Sequence, residues 1–411
     1  MALARRAPRW YRSLRAERRT LRQGLVALVL STVAGFVAGL TLAGIGDTLR
    51  QLPGLLVLVP AAVGMRGTIF GAIGARLGTT NAAGTFEVSR RRDGVLYRNV
   101  YVAVVTTFAS SLWLALLARI VSAVFGAPSI SIWSLITISV VGGVLGSVLI
   151  LLITIGFSIV SYRRGWDLDS VSTPLVTALG DMATLPTLFL ATFLVRDPVV
   201  NAFASGLCLV AGVYATIRAY TVDDSVVRRI VLEMTAVILL TPVLDILAGT
   251  LQEVRLPELL AAPAVLILIP PFVSQAGALG GIFASRTSSK LQIGVITPRG
   301  VPETPAVVDA ALVVLMAIGV FALIGVMTVG LADLTGDTPT GPWALIGATM
   351  LAGMIATPIT LAAGYYLAIV TYRFGLDPDN HTVPIITSVM DLAGVACVLV
   401  VMTVSGVLPH G

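Results

Sequence analysis

Two stretches of this 411-residue chain decide its fold, because one is a copy of the other. The first, YRRGWDLDSVSTPLVTALGD, runs from Tyr162 to Asp181, and the second, YRFGLDPDNHTVPIITSVMD, runs from Tyr372 to Asp391. Their Tyr, Arg, Gly, Asp, Pro and Thr residues recur in register, each pair 210 positions apart. Similarity at one fixed offset indicates an internal duplication.

The same offset extends the duplication toward the N-terminus. The matched pairs there are Pro53 and Pro263, Pro60 and Pro270, Gly67 and Gly277, Gly71 and Gly281, and Arg76 and Arg286. A shared apolar composition would match Leu and Val, but not Pro, Gly and Arg in register over so long a stretch. The chain therefore contains two copies of one unit.

The composition places both copies in a membrane. Hydrophobic residues make up 56% of the chain and charged residues only 12%, whereas soluble domains carry about 25% charged residues. Apolar runs of roughly 20 residues, the length that crosses a bilayer, predict eleven transmembrane helices in an all-α polytopic protein. They lie near 24–45, 54–77, 99–125, 131–161, 172–195, 199–220, 229–249, 259–285, 306–331, 343–371 and 383–407.

Each repeat holds five predicted spans, and an odd number would leave a directly fused second copy upside down. The extra span near 199–220 restores its orientation. We therefore predict parallel repeats related by an axis along the membrane normal, with the functional path on that axis. The predicted parts are an Arg-rich segment 1–23, a first repeat 24–198, a linker helix 199–222 and a second repeat 223–411.

Basic residues fall on one side of these spans. If the N-terminus is inside, 22 of the 27 Lys and Arg residues are cytoplasmic, which predicts a cytoplasmic N-terminus and an external C-terminus in the plasma membrane. The formal net charge of +6 is then a topology signal and an attraction for anionic lipid, with the bilayer rather than nucleic acid as partner.

Several chemistries lack the residues they need. Cys208 and Cys397 both lie in apolar runs, and His381 and His410 lie in a loop and at the C-terminus. These positions offer no disulfide framework, zinc site or His-based nucleophilic constellation. We predict a protein that is not an enzyme and has no cofactor.

Two carboxylates within the spans carry the functional prediction. Asp181 and Asp391 occupy the same repeat position, and an intramembrane carboxylate normally faces protein or water along a pathway. Thr177 and Thr387 precede them by four residues and so share a helix face. Hard oxygen ligands across a shared axis favour a divalent cation of the magnesium class that keeps part of its water, with Mn²⁺ and Co²⁺ also accepted. A structural ion pair is the alternative for each Asp.

The second helix of each repeat is rich in small residues. Gly67 and Gly277 are matched positions on one face of it, and Pro60 and Pro270 precede them by seven residues. These glycines either expose backbone carbonyls to the ion path or allow close helix packing, and the sequence leaves both interpretations open.

Two charged residues in the spans break the repeat. Arg66 matches Ala276, and we expect it to snorkel to the cytoplasmic side or to pair with a carboxylate. Asp245 matches Gly35, and its place near the outer end of its helix favours a solvated acid over a ligand.

The second-helix motifs PAAVGMRG at Pro60–Gly67 and ASRTSS at Ala284–Ser289, with the duplicated Asp, resemble the MgtE and solute carrier 41 family of magnesium transporters. The resemblance covers nearly all of residues 24–407. It implies two five-helix membrane domains, Mg²⁺ or a related divalent cation as cargo, and ion binding by Asp181 and Asp391. Thr68 and Ala278 stand where the family commonly has Asn, a departure that bears on the filter and on the choice of cation. Residues 1–23 are too few for a cytoplasmic sensor domain, so the resemblance does not extend to magnesium-gated closure.

Two other functions remain as alternatives. A proton- or sodium-coupled carrier of another solute would need a substrate-sized cavity with aromatic residues, which make up only 7% of the chain. An intramembrane aspartyl protease also uses two membrane Asp residues, but Ala178 and Leu179 do not fit its motif. Because both halves of a symmetric path are fused, we expect a monomer to be functional.

Overall fold

The computed structural model describes residues 18–82, 91, 94–164, 168–335, 341–376 and 378–409. Most of the predicted Arg-rich segment 1–23 lies outside these residues. The described part is helical and contains no strand. The first repeat contributes α1 (Arg18–Gly44), α2 (Gly46–Gln51), α3 (Leu55–Ala82), α4 (Val95–Phe125), α5 (Ile132–Arg164) and α6 (Leu168–Thr192). A 3-10 turn (Phe193–Val195) leads to α7 (Pro198–Thr221), and the second repeat contributes α8 (Ser225–Val254), α9 (Leu256–Ala261), α10 (Pro263–Gln292), α11 (Thr304–Thr335), α12 (Pro342–Arg373) and α13 (Pro378–Val404).

The long helices confirm the prediction of an all-α polytopic membrane protein. Within the described residues, nine helices are long and apolar enough to cross a membrane. The two remaining predicted spans contain the shorter apolar stretches Leu28–Gly44 in α1 and Gly180–Val195, which runs from α6 into the 3-10 turn that follows it. Every predicted apolar run therefore corresponds to a helix.

The short helices α2 and α9 were not predicted. They lie at matched positions between the first and second long helices of each repeat. The predicted span 259–285 begins too early, because residues 259–261 belong to α9 and the long helix α10 begins at Pro263. Pro263 fits there because a proline at the first helical position has no N–H that needs a partner.

The two repeats interlock through their first helices. Helix α1 packs against α10 of the second repeat, and α8 packs against α3 of the first. Glycines allow this close approach: a Cβ at Gly35 would lie 2.6 Å from the Pro271 Cα, and a Cβ at Gly249 would lie 2.5 Å from the Val57 carbonyl oxygen. The first helix of each repeat thus lies against the second helix of the other, which brings residues of both repeats together at the centre.

The last helix of each repeat completes this central group. Helix α6 packs against α1, α3 and α5, and α13 packs against α8, α10 and α12. Helix α13 also contacts α3 of the other repeat. The helices that carry Asp181 and Asp391 therefore lie inside the bundle.

The linker helix α7 lies at the periphery. It packs against α4 and α5 of the first repeat, with a lighter contact to α8, and most of its surface is exposed. Asp197 caps its N-terminus by accepting hydrogen bonds from the backbone N–H groups of Val199 and Val200. The position of α7 agrees with a connecting role between the repeats.

Candidate functional site

Asp181 lies in the middle of α6 and is 7% exposed. Its Oδ2 accepts a hydrogen bond of 2.9 Å from the Ser274 hydroxyl on α10. The donor belongs to the second repeat and the acceptor to the first. This contact therefore crosses the interface between the repeats.

Asp391 lies in the middle of α13, is partly exposed, and faces a second acid, Asp245. Both carboxyl groups approach Gly64 on α3. A Cβ at Gly64 would lie 2.8 Å from Asp245 Oδ2 and 3.5 Å from Asp391 Oδ2. Glycine at this position therefore leaves the room in which two carboxyl groups from α8 and α13 meet.

Asp245 corrects an expectation from the sequence. We expected a solvated acid near a helix end, but the residue is 0% exposed. Ser388 and Asp391 lie beside it, yet neither of its carboxylate oxygens accepts a well-formed hydrogen bond from the described residues. The expectation was wrong because depth along one helix does not report which helix packs over the side chain.

The three carboxylates form one electrostatic group. Asp391 lies close enough to both Asp245 and Asp181 to interact with their charges. No Lys or Arg side chain forms a salt bridge with any of the three in the part of the chain that the structure describes. A buried group of like charges without a counter-ion is unfavourable, so this arrangement can accommodate a cation.

The described side chains do not form a preassembled chelate, because no group of three or more His, Cys, Asp or Glu residues among them is arranged to hold a metal ion directly. Only Asp245 and Asp391 approach each other as a pair, and the nearest polar partner of Asp181 is the Ser274 hydroxyl. Such an arrangement suits an ion that keeps part of its hydration shell.

The other predicted site residues are Thr177, Thr387, Gly67 and Gly277, and the surroundings of each differ. The Thr387 hydroxyl donates to the Pro384 carbonyl at 2.8 Å, and a Cβ at Gly277 would lie 3.2 Å from Thr387 Cγ2. Helices α10 and α13 therefore lie close together at Gly277. A Cβ at Gly67 would meet no described atom within 4 Å, and the Thr177 side chain lies outside the described residues.

Arg66 follows neither expectation from the sequence. It is 4% exposed, and it donates to the backbone carbonyls of Ala62 at 3.2 Å and Gly142 at 2.9 Å. It neither snorkels to an end of the bundle nor pairs with a described carboxylate. Two helix carbonyls take the place of the expected acidic partner.

The sequence assigned no role to Ser274 in this central group, and it placed Asp245 in solvent. Ser274 matches Gly64 at the repeat offset, and Asp245 matches Gly35. Their signal was the breaking of the repeat: both are polar residues in a span where the other copy has glycine. Repeat matching finds what the halves share and passes over such differences.

The MgtE family, described as a divalent cation transporter, matches residues 59–191 and again residues 269–401, which are the same parts of the two repeats. The helical fold and the duplicated match define a membrane transporter of divalent cations. The chain belongs to the MgtE family.

Relatives in animals match most of the length of this chain. The chain is 23% identical to solute carrier family 41 member 3 of Rattus norvegicus, over 90% of this chain and 84% of the relative. It is 24% identical to solute carrier family 41 member 2 of Gallus gallus, over 92% of this chain and 69% of the relative. No solved structure matches the chain.

Proposed function

We propose that this chain carries Mg²⁺ across the membrane along the interface between its repeats, and that Asp181, Asp245 and Asp391 face the ion. The observation that supports this most is the pair of carboxyl groups of Asp245 and Asp391 at Gly64, with the charge of Asp181 within reach of Asp391 and no described cationic partner. An ion path between repeats requires that both repeats contribute charge, and here they do.

The ligand chemistry favours Mg²⁺. The group offers oxygen atoms only, so it lacks the softness that selects Zn²⁺ or Cu²⁺. Several nearby carboxylates are neutralised better by a double charge than by Na⁺ or K⁺. Because Mg²⁺ releases its water reluctantly, the carboxylates would hold a partly hydrated ion, and Mn²⁺ or Co²⁺ would follow the same path. The hydroxyls of Thr177 and Thr387 and the carbonyls at Gly67 and Gly277 remain predicted contributors.

The proposal includes a topology and a transport unit. The distribution of Lys and Arg supports a cytoplasmic N-terminus and an external C-terminus in the plasma membrane. One chain contains both halves of the path, so a monomer should suffice. Reconstitution of a size-defined monomer tests this, and activity confined to dimers would contradict it.

The central test is Mg²⁺ uptake into vesicles that contain the purified protein. Asp181→Asn and Asp391→Asn should each reduce uptake, and the double variant should abolish it, because both carboxylates meet the ion. Asp47→Asn is the matched control, since Asp47 is an exposed acid with a surface partner, Arg50. Full uptake by a correctly folded double variant would refute the proposal.

Selectivity offers an independent test of the ligand set. Uptake of Mg²⁺ in competition with Zn²⁺, Mn²⁺, Co²⁺ and Ca²⁺ should favour Mg²⁺, Mn²⁺ and Co²⁺. A clear preference for Zn²⁺ over Mg²⁺ at equal free concentration would show that the ligands are misidentified.

A further inference from the structure

A small polar cavity lies inside the first repeat, apart from the carboxylate group. Arg66 lines it together with the hydroxyl residues Thr107, Ser110, Ser111, Ser139 and Ser147. Its volume is about 10 Å³, room for roughly one water-sized occupant. The cavity lies between α3, α4 and α5, and the apolar side chains of Ala62, Met65, Ile69 and Leu114 complete its lining.

The guanidinium of Arg66 is only partly satisfied. Its two terminal nitrogens donate to backbone carbonyls, but Nε has no hydrogen-bond partner in the described structure. The place where Gly146 would carry a Cβ is 3.0 Å from this Nε, so glycine keeps the nitrogen uncovered. Two neutral carbonyls do not neutralise the charge of Arg66, and a buried unpaired charge is strongly unfavourable.

The hydroxyl groups around the cavity are arranged as donors. The Thr107 hydroxyl donates to Ser147 Oγ at 3.1 Å, and the Ser139 hydroxyl donates to the Ser111 carbonyl at 2.7 Å. The hydroxyls of Ser111 and Ser147 themselves donate to no acceptor among the described residues. Their two O–H groups and the Arg66 N–H therefore remain for an occupant that accepts hydrogen bonds.

The second repeat shows that the fold does not require this cavity. Gly353 faces Phe321 there, as its counterpart Gly143 faces Ser111, so the two places are equivalent in space. The ring of Phe321 packs against that of Phe272 with centroids 4.8 Å apart and fills the volume. Arg66, Thr107, Ser110 and Ser111 are matched by Ala276, Ala317, Val320 and Phe321.

We propose that the Arg66 cavity binds one monovalent anion of the halide class, chloride in physiological solution. The Arg66 Nε–H and the O–H groups of Ser111 and Ser147 can all donate to one occupant, which suits an anion. A water molecule could also accept these bonds, but it would leave the charge of Arg66 uncompensated. The small size of the cavity favours a monatomic anion over sulfate, phosphate or a lipid headgroup. The single positive charge of Arg66 is also neutralised by one monovalent anion.

The site can be tested on the purified full-length protein without reference to transport. Thermal unfolding should shift to higher temperature, in a saturable way, when sodium gluconate is replaced by sodium chloride or bromide, because a ligand bound only to the folded state stabilises it. Anomalous scattering from crystals grown in bromide should place one bromide beside Arg66.

The second repeat supplies a variant that should fold without the anion. Replacing the lining by its apolar counterpart, Arg66→Ala with Thr107→Ala, Ser110→Val and Ser111→Phe, should remove the halide shift while the protein stays folded. Ser147→Ala alone should raise the half-saturating chloride concentration about tenfold, as expected for one hydrogen bond to a charge.

Two controls separate this site from other effects of salt. Arg119→Ala removes an exposed arginine and should keep the full halide shift, and so should Asp181→Asn, which alters only the carboxylate group. Equal unfolding in gluconate and chloride, a water without bromide in the cavity, or a halide shift retained by the apolar variant would each overturn the proposal.

Discussion

The two halves of the carboxylate group are built on the same backbone but with different side chains. In the first half, Asp181 accepts a hydrogen bond from Ser274. In the second, Asp391 faces Gly64, the counterpart of Ser274, and the carboxyl of Asp245 lies against that glycine. The counterpart of Asp245 is Gly35, whose own surroundings are filled by Pro271.

This difference consists of two linked exchanges. Around Asp181, the second-helix position is Ser274 and the first-helix position is Gly35. Around Asp391, the matching positions are Gly64 and Asp245. A Cβ at Gly64 would approach Asp245 Oδ2 to 2.8 Å, so serine and aspartate cannot both occupy these places without a shift. Duplication fixed a symmetric backbone, and compensating substitutions made its chemistry asymmetric.

The largest effect should come from removing the negative charge of Asp391 or of Asp245, the two acids that meet at Gly64. Asp391→Asn should reduce Mg²⁺ uptake more than Asp245→Asn does, because Asp391 contacts the charges of both other acids. We expect at least a tenfold loss for Asp245→Asn, the equivalent of about 1.4 kcal/mol. Initial rates in vesicles measure both. If the Asp245→Asn variant takes up Mg²⁺ as fast as the Asp47→Asn control, Asp245 does not take part in transport.

Whether positions 64 and 245 depend on each other can be tested by a mirror exchange, in which Gly64→Ser and Asp245→Gly give the second half the residues of the first. Gly64→Ser alone should lower stability by about 1–3 kcal/mol, the range for overpacking, because the new side chain meets Asp245. Adding Asp245→Gly copies the arrangement of the first half and should restore much of that loss. Thermal unfolding of both single variants and the double variant gives the coupling.

The mirror exchange also separates stability from transport. If Asp245 faces the ion, the doubly exchanged protein should be folded but should take up Mg²⁺ more slowly than the natural protein. Additive effects on stability would argue against contact between positions 64 and 245.

A smaller effect is expected from the hydrogen bond between Ser274 and Asp181. Ser274→Ala removes one hydrogen bond to Asp181, worth about 1 kcal/mol, and should change the half-saturating Mg²⁺ concentration by roughly fivefold. Ser289→Ala on the same helix is the control, because that exposed hydroxyl donates only to the Ser285 carbonyl. Identical behaviour of the two variants would remove Ser274 from the group.

The smallest effect concerns the junction at which the second repeat begins. Burial raises the pKa of Asp224, but the hydrogen bonds from Arg98 and from the N–H groups of Val226 and Val227 lower it more, so that its pKa lies below the ordinary value. A lowered folded-state pKa gives stability that is present above the unfolded-state pKa of about 3.9 and is lost as the pH falls through the folded-state value.

Asp224→Asn keeps a helix-capping side chain and removes the charge that meets Arg98 at 2.7 Å. It should therefore lower stability by about 0.5 kcal/mol near neutral pH, and the difference from the natural protein should disappear in acid. Thermal unfolding as a function of pH measures this. A difference that grows in acid would contradict the assigned sign.

The sequence predicted the helices better than it predicted their contacts. The apolar runs located every long helix, because a run of about 20 apolar residues matches the thickness of a bilayer and exceeds the length of ordinary strands. The short helices α2 and α9 were missed, since six residues carry too little pattern. Asp181 and Asp391 were found because the repeat marks them, whereas Ser274 was missed because its counterpart is Gly64. Asp245 was noticed as a break in the repeat, but its burial was not predicted.

By itself the sequence determined that the chain is a duplicated, helical membrane protein with an acid in the last helix of each half. Hydrophobic length and the fixed repeat offset are local properties, and they can be read without knowing which helices touch. Only the tertiary structure decided that Asp245 joins Asp391 beside Gly64, and that Arg66 has carbonyls and a small cavity as neighbours instead of a carboxylate. Those outcomes depend on the packing of α8 over α3 and of α5 over Arg66, contacts between distant segments that no pattern within one helix records.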